Sequence, residues 1–144
     1  MRFEKIIFGV SAAALATSVM AVGAERQPVD WQAPPRAARR PNPVPADDRV
    51  LAAGREVYQH QCSSCHGAGG HGDGKDAADL TPTPSDLSDG SIAQQSDGAL
   101  FWKITQGRKP MPSFEKLATE TQRWEVVHYI RTLAKAAPPA STQP

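Results

Sequence analysis

At 144 residues, 40% of them hydrophobic and only 6% aromatic, the chain has room for one compact domain whose side chains alone build a thin core. A formal net charge of +1 gives no strong sign of nucleic-acid binding, and no basic run approaches that class, so no nucleic-acid partner is expected. The thirteen prolines cluster outside the segments with helical periodicity.

The chain opens with MRFEKIIFGVSAAALATSVMAVGA. Arg2 and Lys5 give a charged start, an apolar stretch follows from Ile6, and Val22 and Ala24 stand where small residues precede a cleavage site. Residues 1–24 therefore read as a signal peptide, which makes the protein periplasmic or otherwise exported. The apolar stretch is almost long enough to span a bilayer, so an uncleaved membrane anchor is the alternative. Cleavage removes Arg2, Glu4 and Lys5 and leaves basic and acidic residues equal in number. Neither cysteine lies at the cleavage point, which argues against a lipid anchor.

Residues 25–46 carry Pro28, Pro34, Pro35, Pro41, Pro43 and Pro45 and form a proline-rich extended arm, because proline interrupts a continuous helix. Trp31 and the Arg36, Arg39, Arg40 cluster stand out in it. Two readings compete: a solvated linker, or an arm whose Trp31 docks on the domain while its arginines face a partner. The compact domain occupies 47–135. Residues 47–66 predict a helix capped by Asp47 or Asp48, with Val50, Leu51, Gly54, Val57 and Tyr58 on one stripe. A mid-helix glycine costs stability, so Gly54 marks a close backbone approach. Residues 67–95 are rich in glycine and proline and read as loop, with a short helix near Lys75 to Leu80. Ser96 is a candidate N-cap for a helix that ends near Gly107. Thr119 and Gln122 make a capping box for the last helix, where Trp124, Val127, Ile130 and Leu133 recur at helical spacing. Residues 136–144 read as a disordered tail.

The strongest signal is Cys62-Ser63-Ser64-Cys65-His66. Two thiols so spaced on a helical turn reach the two vinyl groups on one porphyrin edge, and the histidine that follows is held under the iron. This predicts one covalent haem c, with thioethers at Cys62 and Cys65 and His66 as an axial ligand. A thioredoxin-type dithiol wants a preceding strand, which is missing. A zinc site using Cys62, Cys65 and His66 or His71 wants further ligands, and the chain has no other cysteine. A disulfide between such close partners would staple almost nothing.

The second axial ligand follows by elimination. Met1 and Met20 lie in the leader, so Met111 is the methionine that cleavage leaves. Pro110 and Pro112 stiffen its loop, as a weak thioether ligand requires. His60 precedes the motif in its helix, His71 belongs to the glycine-rich loop on the proximal side, and His128 sits between Val127 and Tyr129. All three read as non-ligands.

The chain over about 48–134 resembles a class I cytochrome c. The likeness rests on Gly54 and Tyr58, the cysteine–histidine motif, the Met111 loop and Trp124 to Leu133. It implies an all-α fold of about three to five helices wrapped around the haem. It also implies that Gly54 and Tyr58 meet Val126 and Tyr129 where the first and last helices cross. Pro82 or Pro84, with Pro84 favoured, would mark the region accepting the hydrogen bond from His66. Pro110 would flank the cofactor beside Met111.

Two axial ligands leave no open iron position, so the expected activity is single-electron transfer between exported or membrane-bound redox partners, not catalysis. The His71-to-Gly74 loop and the arm keep a second function in play, a haem-bearing accessory subunit docked on a periplasmic dehydrogenase or oxidase. A haem enzyme or gas sensor with a labile Met111 is the third. From Gly67 to Leu100 six aspartates face one lysine, whereas from Phe101 to Lys135 seven basic residues face three acidic ones. Such a dipole would steer an acidic partner toward the methionine loop, or these are simply solvated faces.

Overall fold

The structure, a computed structural model, describes residues 31–136, with side chains to residue 134. The expected signal peptide, the arm's first residues 25–30 and the tail beyond 136 lie outside the described residues. Six helical segments follow one another: α1 Pro35–Ala38, α2 Asp48–Gln61, α3 Ser63–His66, α4 Gly90–Ala93, α5 Asp97–Gln106 and α6 Glu120–Ala136. A single 3₁₀ turn at Ala77–Asp79 occupies the loop region, and no strand occurs among the described residues. The all-α expectation holds, with α2, α5 and α6 as its three long members.

Each long helix starts where the sequence provides a cap. Asp47 accepts a 2.7 Å hydrogen bond from the Val50 amide at the head of α2. Ser96 Oγ accepts from the Ala99 amide at the head of α5. Before α6 the capping box is reciprocal: Thr119 N donates to Gln122 Oε1 at 2.8 Å and Gln122 N to Thr119 Oγ1 at 3.2 Å. Caps of this kind contribute about 1 kcal/mol each.

Val50, Gly54 and Tyr58 are the buried residues of α2, spaced by four so that they fall on one face. That face crosses α6. A Cβ added at Gly54 would lie 2.2 Å from the Glu125 carbonyl oxygen, so the two backbones touch. Tyr58 is fully buried, and its ring centroid stands 5.1 Å from that of Tyr129. Its hydroxyl donates to the Gly67 carbonyl at 2.7 Å, which ties α2 to the residue directly after His66. Behind α6, Trp124 stacks on Phe101 of α5 at 3.8 Å.

Arg123 is buried, and its Nη1 donates to the carbonyls of Phe114, Glu115 and Ala118 at 3.1, 2.9 and 3.2 Å. The side chain thereby fixes the segment between Met111 and α6. Arg131 does similar work at α4, donating to the carbonyls of Ile92 and Ala93 and to the Asp97 carboxylate.

The arm is clamped to the domain. Pro35 starts one helical turn, as proline at the first helical position allows. Gly98 then receives it: a Cβ there would sit 2.3 Å from the Ala37 carbonyl oxygen. Ser96 Oγ donates to the Ala38 carbonyl at 2.6 Å, Asn42 Nδ2 to Trp124 O at 3.2 Å, and His128 Nε2 to Val44 O at 2.7 Å. The Arg40 guanidinium pairs with Glu120 and lies 5.1 Å from the Phe101 centroid. His128 is thus a clamp for the arm.

Candidate functional site

Cys62 ends α2, and its carbonyl accepts from the amides of Cys65 and His66 at 3.2 and 2.9 Å, so the motif coils into one helical turn. The coil brings Cys62, Cys65 and His66 to the wall of one cavity. Leu80, Leu87, Ile92, Leu100, Ile104 and Ile130 supply apolar wall. Pro84, Pro110 and Met111 line the same cavity, as do Pro82 and Pro112. All six residues singled out in the sequence for cofactor or iron binding therefore meet at one place. His60, His71 and His128 are not among the lining residues.

His66 Nδ1 lies 3.0 Å from the Ser85 carbonyl oxygen. A carbonyl only accepts, so Nδ1 carries the proton and Nε2 keeps its lone pair for a ligand role. The acceptor is one residue past Pro84, within the region the resemblance indicated. Pro84 instead packs against the glycine loop, where a Cβ at Gly72 would stand 2.4 Å from the Pro84 carbonyl oxygen. Burial holds the His66 imidazole below the ordinary histidine range, with the Ser85 bond acting the other way.

The site's chemistry discriminates among the sequence alternatives. Burial, with Cys65 adding to it, pushes the Cys62 thiol up to about 12. A redox dithiol needs the reverse, a depressed thiolate. Among the described residues no group of three or more His, Cys, Asp or Glu side chains is placed to hold a metal ion, so zinc lacks its ligand set. Two neighbouring thiols, an imidazole with a free nitrogen, a thioether and apolar side chains lining one cavity fit a thioether-bound porphyrin.

One corner of the cavity is cationic and aromatic. Trp31, at the start of the described arm, lies with its ring 4.8 Å from the Arg108 guanidinium and 5.4 Å from Lys103 Nζ. All three line the cavity. Burial and the Arg108 charge lower the Lys103 ammonium from its ordinary range, and Gln95 accepts a hydrogen bond from it at 2.6 Å. The sequence marked Trp31 as a possible docking residue. It gave no sign that Lys103 on α5 would join it.

The chain is similar to known proteins. The family profile described as cytochrome c oxidase, cbb3-type, subunit III matches residues 49–130. A cytochrome c6 from Euglena viridis is 29% identical over 87 residues, covering 57% of this chain and 91% of the relative. Among solved structures, a chain of the Kuenenia stuttgartiensis reducing HAO-like protein complex Kustc0457/Kustc0458 superposes with a TM-score of 0.56 at 28% identity. That alignment covers 63% of this chain and 46% of the other, so the likeness spans less than half of that larger chain.

Proposed function

Because the chain belongs to the c-type cytochrome family described as cytochrome c oxidase, cbb3-type, subunit III, we propose that its single-electron transfer runs through one haem c bonded to Cys62 and Cys65, with His66 and Met111 as axial ligands. The observation that carries this reading is the convergence of both thiols, the oriented imidazole and the one thioether of the described chain on one apolar cavity. Haem c, when bound, supplies an iron that takes up and releases one electron.

The chain's own residues set the terms of that transfer. The Ser85 carbonyl fixes the tautomer and orientation of His66 and strengthens it as a donor. Met111, as a soft sulfur donor, favours the ferrous state and raises the potential relative to two histidines. The apolar wall excludes water from the cofactor. Lys103 and Arg108, which line the cavity, would offer positive charge to the carboxylates of the bound haem. His66 and Met111 would hold the iron between them, and haem c bound there would take one electron from a donor protein and pass it to an acceptor.

The electrostatics favour an acidic redox partner. Lys103, Arg108 and Lys109 stand around the methionine loop, and Arg36 and Arg39 are exposed on the arm that carries Trp31. Family membership and the cytochrome c6 relative suggest an exported or membrane-associated protein. A periplasmic location reached through cleavage of residues 1–24 is our reading of the leader. No helix among the described residues is long and apolar enough to cross a membrane. A second reading, a docked subunit of a larger redox enzyme, is favoured by the structural neighbour, a chain of a complex.

The test is the purified, exported protein. Mass and an alkaline pyridine spectrum should give one covalently attached haem per chain, lost when both Cys62 and Cys65 become alanine. A holoprotein with no covalent haem, or with two, would overturn the assignment. Purification from the native source at high salt separates the two roles: a free carrier emerges alone, a subunit with its enzyme.

A further inference from the structure

We propose that His71 and Ser88, with Asp86, form a clasp that holds the Ser85 carbonyl on the proximal imidazole, so that both act as positioning residues for the iron's histidine ligand. The inference rests on the reading of His66 as that ligand.

The loop leaving His66 folds back along the segment that carries Ser85. Gly72 N donates to the His66 carbonyl at 2.9 Å, and Gly74 N to the Cys65 carbonyl at 3.1 Å. Gly70 accepts from the Leu87 amide at 2.6 Å. Gly72 lies against Pro84 with no room for a Cβ, and its φ of +74° suits glycine. The 84–88 segment is therefore pinned at Pro84 and Leu87 by backbone contacts, with Ser85 between them.

The side chains add a second fastening. Ser88 is one of two polar or charged side chains that are buried among the described residues, at 5% exposure. A hydroxyl at that depth is costly unless its bonds are made. Its single proton goes to the Asp86 carboxylate, which only accepts, at 2.6 Å. The 3.0 Å contact with His71 Nδ1 must then have the imidazole N–H donating to the Ser88 oxygen. Asp86 Oδ1 also accepts from the Ser88 amide at 2.8 Å. The chain Nδ1–H to hydroxyl to carboxylate is thus closed in one direction, and it joins the loop after His66 to the residues on either side of Leu87. Neither side chain lines the cavity, so their effect reaches the iron only through Ser85 and His66.

A carbonyl held in line with Nδ1–H strengthens imidazole donation and favours ferric iron. Loosening it weakens donation and raises the potential. In the holoprotein, Ser88→Ala and His71→Ala should each raise the ratio of reduced to oxidised protein at a fixed applied potential by roughly threefold, which at 59 mV per decade for one electron is about 28 mV. In the reduced state, the His66 Nδ1–H should exchange with solvent roughly tenfold faster. His71→Asn keeps an N–H donor near the position of Nδ1 and should restore both values. His128→Ala, which removes the bond to the arm instead, serves as the control and should change neither.

Unchanged potentials in Ser88→Ala and His71→Ala overturn the clasp, as does His71→Asn behaving like His71→Ala, or a control that shifts as far as the variants. His71 is exposed, so its replacement leaves the fold intact even where Ser88→Ala lowers yield. Failure of the underlying reading looks different: the His66→Ala holoprotein would then retain the low-spin spectrum of the wild type.

Discussion

Replacing Gly54 by alanine sets two known effects against each other. Helix propensity alone predicts a gain of about 1 kcal/mol, because Gly54 lies in the middle of α2. The structure predicts the opposite sign. The new Cβ would stand 2.2 Å from the Glu125 carbonyl oxygen and 2.7 Å from its carbon. Those are backbone atoms that cannot rotate aside, so relief requires α2 and α6 to separate by roughly 1 Å, a gap that forfeits a quarter to a half of each contact across it. Tyr58, Trp124, Val126 and Val127, each under 2% exposed, are the side chains whose packing that separation loosens. Overpacking at the upper end of its usual range costs about 3 kcal/mol. The net is about 2 kcal/mol of destabilisation, or a fall in Tm of about 8–16 °C for a domain of this size. Thermal unfolding followed at once by far-ultraviolet circular dichroism and by the haem absorbance measures it. A variant as stable as wild type, or more so, would show that propensity wins and that the helices do not touch at Gly54.

Met111→Ala should abolish the long-wavelength sulfur-to-iron absorption band and lower the potential; survival of the band would remove Met111 from the iron. Gly98→Ala places a Cβ 2.3 Å from Ala37 O and 2.6 Å from Arg40 O, so the arm should lift while the domain stays folded. Tryptic cleavage at Arg36 and Arg39 should rise by about tenfold or more, and an unchanged digest would refute the close approach. Arg40 holds the Glu120 carboxyl below its usual range, so the pair's contribution is complete above the ordinary glutamate pKa and is lost as pH falls through the lowered value. Amide exchange in residues 35–44 should therefore accelerate in acid in wild type, whereas Glu120→Gln should show the faster exchange already at neutral pH.

The parts of the fold that are local in sequence are legible there. Asp47, Ser96 and the Thr119–Gln122 pair act on amides three residues away, and each cap forms as read. Gly54 was readable because glycine is out of place in mid-helix. Gly98 makes the same kind of contact without such a sign, since it stands in the first turn of α5 where glycine costs little. The arm's docking depends on Asn42, Ser96 and His128 reaching across 58 to 84 residues of chain, which no local pattern encodes. The four candidate iron and thioether residues have side chains whose chemistry announces them. The partner of His66 is a backbone carbonyl, which every residue carries; the resemblance narrowed the region to Pro82 or Pro84, and the acceptor is Ser85, the residue after the favoured proline.

The Gly54 crossing and the Arg123 side chain both engage α6, and each serves a different side of the cavity. Through the crossing at Gly54, α6 seats the helix whose Tyr58 hydroxyl holds the residue after His66. Through Arg123 it grips the three carbonyls that follow Met111. The last helix is thus a shared strut: detach it, and the histidine and methionine sides are released together. A chain ending before Glu120 should hold neither ligand loop in place, and adding back α6 as a separate peptide should restore both in one concerted step.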